Sequence, residues 1–274
     1  MDSTRREVLA AVLAAGMAPA AQAAPVKFVR FRKAATTAYG VLEGETIREI
    51  RGGILGPYKE TGARHKLAEV KLLYPCEPSK VLAVALNYKS HLGAQKPPAK
   101  PEFFWKPVTC LANPGDPIVI PPDAANVHYE GELVIVIGKQ AKNIPPERAA
   151  EVIFGATCGN DVSERDWQKN DQQWWRAKGA DTFGPLGPVI VKGIDYGKLE
   201  LQTRLNGQVV QKESTADLLF DCHAIVSFAS RFVTLMPGDV IYTGTPGTTR
   251  PMKPGDVVEV ELSGIGVLRN TVTG

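Results

Sequence analysis

The sequence predicts a strand-dominated α+β protein, and three features carry that expectation. Segments in which apolar and polar residues alternate recur from residue 26 to the C-terminus. Stretches with helical spacing are few, and no Gly-x-Gly-x-x-Gly phosphate loop introduces a doubly wound sheet. At 274 residues, 44% of them hydrophobic and 22% charged, the chain is long enough for one large core and a small accessory domain. The formal net charge of +3 is mild, and no basic cluster is interleaved with aromatic residues, which argues against a nucleic-acid groove.

Residues 1–23 form a unit of their own. Arg5-Arg6 is followed by the alanine-rich apolar run 8–20 and by Ala21-Gln22-Ala23, the plan of a bacterial twin-arginine export signal, with Glu7 as an atypical acidic neighbour. The run is too short and too small-residued to span a membrane. Export would place the protein in the periplasm; the alternative is an amphipathic first helix on a cytoplasmic enzyme. Cys76, Cys110, Cys158 and Cys222 have no metal-site spacing and are expected to be mostly free, as small buried apolar groups.

Residues 24–74 read as a small N-terminal β domain. Segments 26–31 and 37–42 alternate apolar and polar residues, and Gly44 marks a tight turn before Thr46. Pro75 and Pro78 then read as a linker into a domain over 75–274. That domain opens with the nearly continuous apolar run 80–86, which suits a strand buried on both faces. Ile118-Val119-Ile120 is a short strand stopped by Pro121 and Pro122. Pro145 and Pro146 head a short helix, residues 154–161 return as a strand, and Ser163 is the expected cap of a helix placing Arg165 and Gln168 on one face. Asn206-Gly207 between alternating segments is a hairpin signal. Residues 218–235 have helical spacing and stop at Pro237-Gly238, and the tail is β again.

Glu130 and Glu132 stand at i and i+2 in the strand-like stretch 128–139, so both side chains point to one face. Two like charges sharing a buried face require a cation, whereas on an exposed edge both would be solvated. Asp161, at the end of the next strand, supplies a third carboxylate. Three hard oxygen ligands suit Mg2+, Mn2+ or Ca2+ better than zinc or copper. Trp167, Trp174 and Trp175 are candidates for a ligand-stacking surface or for packing in a core or dimer interface.

Six motifs then occur in order: Asn87-Tyr88-x-x-His91, Phe104-x-Lys106-Pro107, His128-x-Glu130-x-Glu132, Asn160-Asp161-Val162-Ser163-x-Arg165-Asp166-x-Gln168, Lys178-x-x-x-Thr182-Phe183-x-Pro185-x-Gly187-Pro188 and Tyr242-Thr243-Gly244-Thr245-Pro246. Over about residues 75 to 274 the chain resembles the fumarylacetoacetate hydrolase family, with its acylpyruvate hydrolase and oxaloacetate decarboxylase relatives. The resemblance implies a mixed β-sandwich roll in which Glu130, Glu132 and Asp161 hold Mg2+ or Mn2+. It implies a homodimer acting on a small 2-oxo or 2,4-dioxo acid, with no nucleic-acid partner and no membrane span. His91 would be the general acid or base and Lys178 a positive charge at the developing enolate; Lys178 would otherwise be a solvated residue after Arg176. Arg165, Gln168 and Thr245 would bind substrate.

The expected reaction is metal-dependent hydrolysis of a carbon–carbon bond in an acylpyruvate-like acid. Two departures qualify it. Ala94 stands where hydrolases of the family carry a glutamate that helps activate water, which raises decarboxylase, isomerase and hydratase alternatives. Gly247-Thr248-Thr249 replaces the usual Gly-Val-Gly after Thr-Gly-Thr-Pro, which alters pocket shape. Outside the enzymes, the alternative is a periplasmic binding protein that keeps the fold without catalysis.

Overall fold

The structure, a computed structural model, describes residues 24–274; residues 1–23, and with them the export signal, lie outside the described part. Strands dominate. The larger sheet runs in the order Lys59–Lys66, Thr46–Arg51, Thr36–Glu43, Val26–Lys33, Gly184–Lys192, Ile153–Asn160, Gly131–Ile137, Val240–Tyr242, Val81–Ala85 and Glu102–Lys106. The N-terminal strands thus continue the main sheet, with Phe28 opposite Ile190 in an antiparallel pair. A second sheet runs Gln208–Ser214, Glu200–Leu205, Val257–Leu262, Gly266–Thr273 and Ile118–Val119.

The β-branched run of Gly131–Ile137 is the axis of the core, and every one of its residues is buried. Because side chains alternate, Leu133, Ile135 and Ile137 face a cluster that takes in Leu201, Val260 and Leu262 of the second sheet. Val134 and Val136 face the opposite cluster with Val81, Val240 and Tyr242. Val81–Ala85 is divided between the same two clusters, so it too is buried on both faces. Gly131 marks a close approach of the sheets, since a Cβ there would collide with Thr203.

The hairpin at Asn206-Gly207 is present, and both turn residues have positive φ, 52° and 78°. The four cysteines are buried and free. Local boundaries differ from the sequence reading in three places. The helix after residue 163 spans Arg165–Asn170 and is capped by Glu164, whose carboxylate accepts from Trp167 N; Ser163 instead donates its hydroxyl to Asp161 O. A β-bridge to Val127 makes Glu164 the last extended residue, which sets the helix start one residue later. The proline-headed turn at Pro146–Glu151 is a 3-10 helix, and the 218–235 periodicity condenses to an α-helix over Cys222–Phe232 capped by Asp221.

Candidate functional site

The pairing register builds the site. Gly131–Ile137 runs antiparallel to Ile153–Asn160 with Gly131 opposite Asn160, so the residue before the first strand meets the residue after the second. Asp161 N donates to Glu130 O at 2.8 Å, and Glu130 N donates to the Asn160 side chain at 2.9 Å. Glu130, Glu132 and Asp161 are thereby buried together, with one oxygen from each within 4.8 Å of the others.

Burying three carboxylates requires compensation. Lys178 donates to Glu130 and, at 2.7 Å, to Asp161. Lys106 Nζ donates to Asp161 at 2.7 Å, to Phe183 O at 3.1 Å and to Lys178 O. Arg165 pairs with Glu130. The lysines reach this place because Gly179, at the end of the helix Trp175–Gly179, lies against the Pro107 ring where a Cβ would not fit.

These cations are distributed unevenly. Burial opposes ionisation of Glu130, but Arg165, Lys178 and His91 outweigh it and hold its carboxyl well below the usual range. Glu132 has no cationic partner among the described residues; it accepts only from Gly244 N, at 2.7 Å. Burial, then Asp161 and Glu130, push its carboxyl well above the ordinary value. Gly244, at φ 108°, allows this contact by packing on Asn87, whose amide ties the loops by donating to Thr243 O and Phe220 O. A buried hard-oxygen triad with one uncompensated member fits a divalent cation such as Mg2+ or Mn2+.

A cavity of about 330 Å³ opens over the triad. Its wall includes His91, Glu130, Glu132, Asp161, Arg165, Gln168 and Thr245, while Lys178 lies behind the carboxylates, buried. His91 Nδ1 lies 2.6 Å from Gly247 O and its Nε2 3.8 Å from Glu130. A carbonyl only accepts, so Nδ1 donates to it, which in the neutral ring leaves the lone pair on Nε2. Arg165 has less freedom to bind a ligand than expected, since Glu130, Gln168 and Thr249 occupy its two terminal nitrogens. The Thr245 hydroxyl is also engaged, donating to Gly131 O and accepting from Gln211.

Of the tryptophans, Trp174 lies edge-on to Phe104 on the cavity wall, Trp167 lies under the Arg176 guanidinium, and Trp175 is 69% exposed. Lys106 is the functional group that sequence reasoning left without a role, although its motif was visible. The partner that makes it matter is 55 residues away. His128, whose pKa burial and the nearby Arg165 push down to about 4, contacts Thr249 and Asn126.

Comparison with known proteins places these residues in context. Residues 80–273 match the family model described as fumarylacetoacetate hydrolase, C-terminal, and residues 26–75 match the one described as Rv2993c-like, N-terminal. The mitochondrial oxaloacetate tautomerase of Xenopus laevis is 41% identical over 220 residues, 75% of this chain and 69% of that protein. The crystal structure of a 5-carboxymethyl-2-hydroxymuconate delta-isomerase from Mycobacterium smegmatis is 45% identical with a TM-score of 0.86, covering 90% of this chain and 99% of its own. A fumarylacetoacetate hydrolase from Exiguobacterium antarcticum is 33% identical with a TM-score of 0.83, covering 91% and 99%.

Proposed function

The chain belongs to the fumarylacetoacetate hydrolase family, and from that premise we propose that it is a divalent-metal-dependent enzyme moving a proton on a 2-oxo acid, a keto–enol tautomerase or isomerase. Glu130, Glu132 and Asp161 would hold Mg2+ or Mn2+, which when bound supplies polarisation of the substrate carbonyl and charge stabilisation as the enolate develops. Three cations, Lys106, Lys178 and Arg165, equal the three carboxylates in number although they pair only with Glu130 and Asp161, so a loaded site carries surplus positive charge that favours a dianionic substrate.

The observation that carries the choice of reaction is the partner of His91. Water activation is assisted by a carboxylate that stabilises the imidazolium, whereas Gly247 O offers a neutral dipole and position 94 is alanine. Enolisation asks less: Nε2 takes a proton from the carbon beside the carbonyl and returns it at another atom. Buried Lys178 lies behind the carboxylates of the site, bonded to Glu130 and Asp161. Hydrolytic carbon–carbon cleavage is the second reading, supported by the likeness to the Exiguobacterium hydrolase.

Incubation of the Mn2+-loaded protein with oxaloacetate and with an acylpyruvate separates them. Accelerated enol–keto interconversion without CO2 supports the proposal. Pyruvate plus a carboxylic acid from the acylpyruvate, or CO2 from oxaloacetate, as the main product would replace it. His91→Asn is expected to lower the tautomerisation rate at least about 100-fold while Mn2+ binding is kept.

We also propose export to the periplasm, motivated by Arg5-Arg6 and Ala21-Gln22-Ala23, and a homodimer on the strength of the family resemblance. N-terminal sequencing of periplasmic material should begin at Ala24, and light scattering of that material reports the dimer. Recovery only from the cytosol with Met1 intact would defeat the export reading.

A further inference from the structure

The hydrogen bonds around Arg165 form one connected network. Nη1 donates to Gln168 Oε1 at 2.8 Å, and Nη2 donates to Glu130 and, at 2.8 Å, to Thr249 Oγ1. Thr249 Oγ1 lies 2.9 Å from His128 Nδ1, and His128 Nε2 lies 2.8 Å from Asn126 Oδ1. The Asn126 amide nitrogen donates to Asp166 at 3.2 Å, so its oxygen is the end facing His128. That fixes the ring: Nε2 donates to Asn126, and Nδ1 accepts the one Thr249 proton. The Thr249 hydroxyl therefore both receives Arg165 and is locked in direction.

The consequence reaches the cavity. With Oε1 of Gln168 turned to Arg165, the NH2 group is the end of the amide left to donate toward the cavity. A residue without a hydroxyl at 249 would leave an Nη2 hydrogen unpaired and let the guanidinium turn, and Gln168 with it. Thr249 belongs to the Gly247-Thr248-Thr249 segment, and its hydroxyl links that segment to Arg165.

We propose that Thr249 is a positioning residue that, through Arg165, orients the Gln168 amide so that the site selects an acid with a second hydrogen-bond acceptor at the end remote from the metal. This rests on the metal-chelate reading of the triad.

Binding to the Mn2+-loaded protein, followed by calorimetry, tests both levels. Oxalate has nothing beyond its chelating end, whereas 2-oxoglutarate carries a second carboxylate further out. Thr249→Val is expected to weaken 2-oxoglutarate about tenfold, the worth of one charge-assisted hydrogen bond, and to leave oxalate within about twofold. Thr249→Ser, which keeps the hydroxyl, should restore 2-oxoglutarate. Equal weakening of both ligands by Thr249→Val, no weakening of either, or a serine variant that behaves like valine would overturn the assignment. Failure of oxalate to bind the wild type would remove the metal-chelate reading, and this proposal with it.

Discussion

Replacing Lys106 with methionine is expected to destabilise the protein by about 3–5 kcal/mol, the usual cost of stripping one partner from a buried ion pair. The side chain is fully enclosed and its ammonium bonds Asp161 and the carbonyls of Lys178 and Phe183. Burial disfavours its charge, yet Asp161 together with Cys110 and Glu132 outweighs burial and raises its pKa above the ordinary lysine value. Removing it leaves Asp161 facing two further carboxylates with Lys178 alone between them. Urea unfolding of the metal-free protein measures the loss. A change below about 1 kcal/mol, the scale of a surface pair, would show that Lys106 does not compensate the triad. Excess Mn2+ should recover part of the loss, because a ligand that binds only the folded state stabilises it by mass action.

The two glutamates of the triad should respond oppositely to the same substitution. Glu132→Gln removes a charge that has no cationic partner, so the metal-free protein is expected to keep or gain stability near neutral pH. Glu130→Gln removes the carboxylate partner of Arg165 and leaves Lys178 with Asp161 alone, and a loss of about 2–4 kcal/mol is expected. Both variants should lose Mn2+ binding. If Glu132→Gln binds Mn2+ as tightly as the wild type, Glu132 is not a ligand.

The pH dependence carries the same asymmetry. A carboxyl whose folded pKa is raised binds protons in the folded state that the unfolded chain releases, so its contribution falls as pH rises above the ordinary value near 4.5. The metal-free wild type should therefore melt higher at mildly acidic than at neutral pH, and Glu132→Gln should flatten that slope. Glu130, held low, works in the opposite sense, and its contribution disappears only as pH falls below the ordinary carboxylate range. Mn2+ affinity should rise with pH, since the ion competes with the proton on Glu132.

The primary sequence alone determined the strand-dominated class, the strand behind Glu130 and Glu132, the Asn206-Gly207 hairpin and the glutamate pair, with Asp161 joined to that pair through the ordered motifs. Period-two alternation, a turn pair with positive φ and carboxylates two residues apart are local signals, and local signals are legible without a fold. The helix boundaries were less legible, because the bridge that makes Glu164 the cap involves a strand far away in the chain. Only the tertiary structure decided how the charges are shared. The antiparallel register brings Asp161 beside Glu130, Gly179 admits Lys106 to Asp161, and the 245–249 loop supplies both the Gly247 carbonyl that sets His91 and the Thr249 hydroxyl that sets Arg165. Each depends on a contact between distant residues whose energy lies in burial and alignment, and neither can be read from one stretch of chain. The glutamate pair was visible in the sequence; which of the two lacks a cation was not.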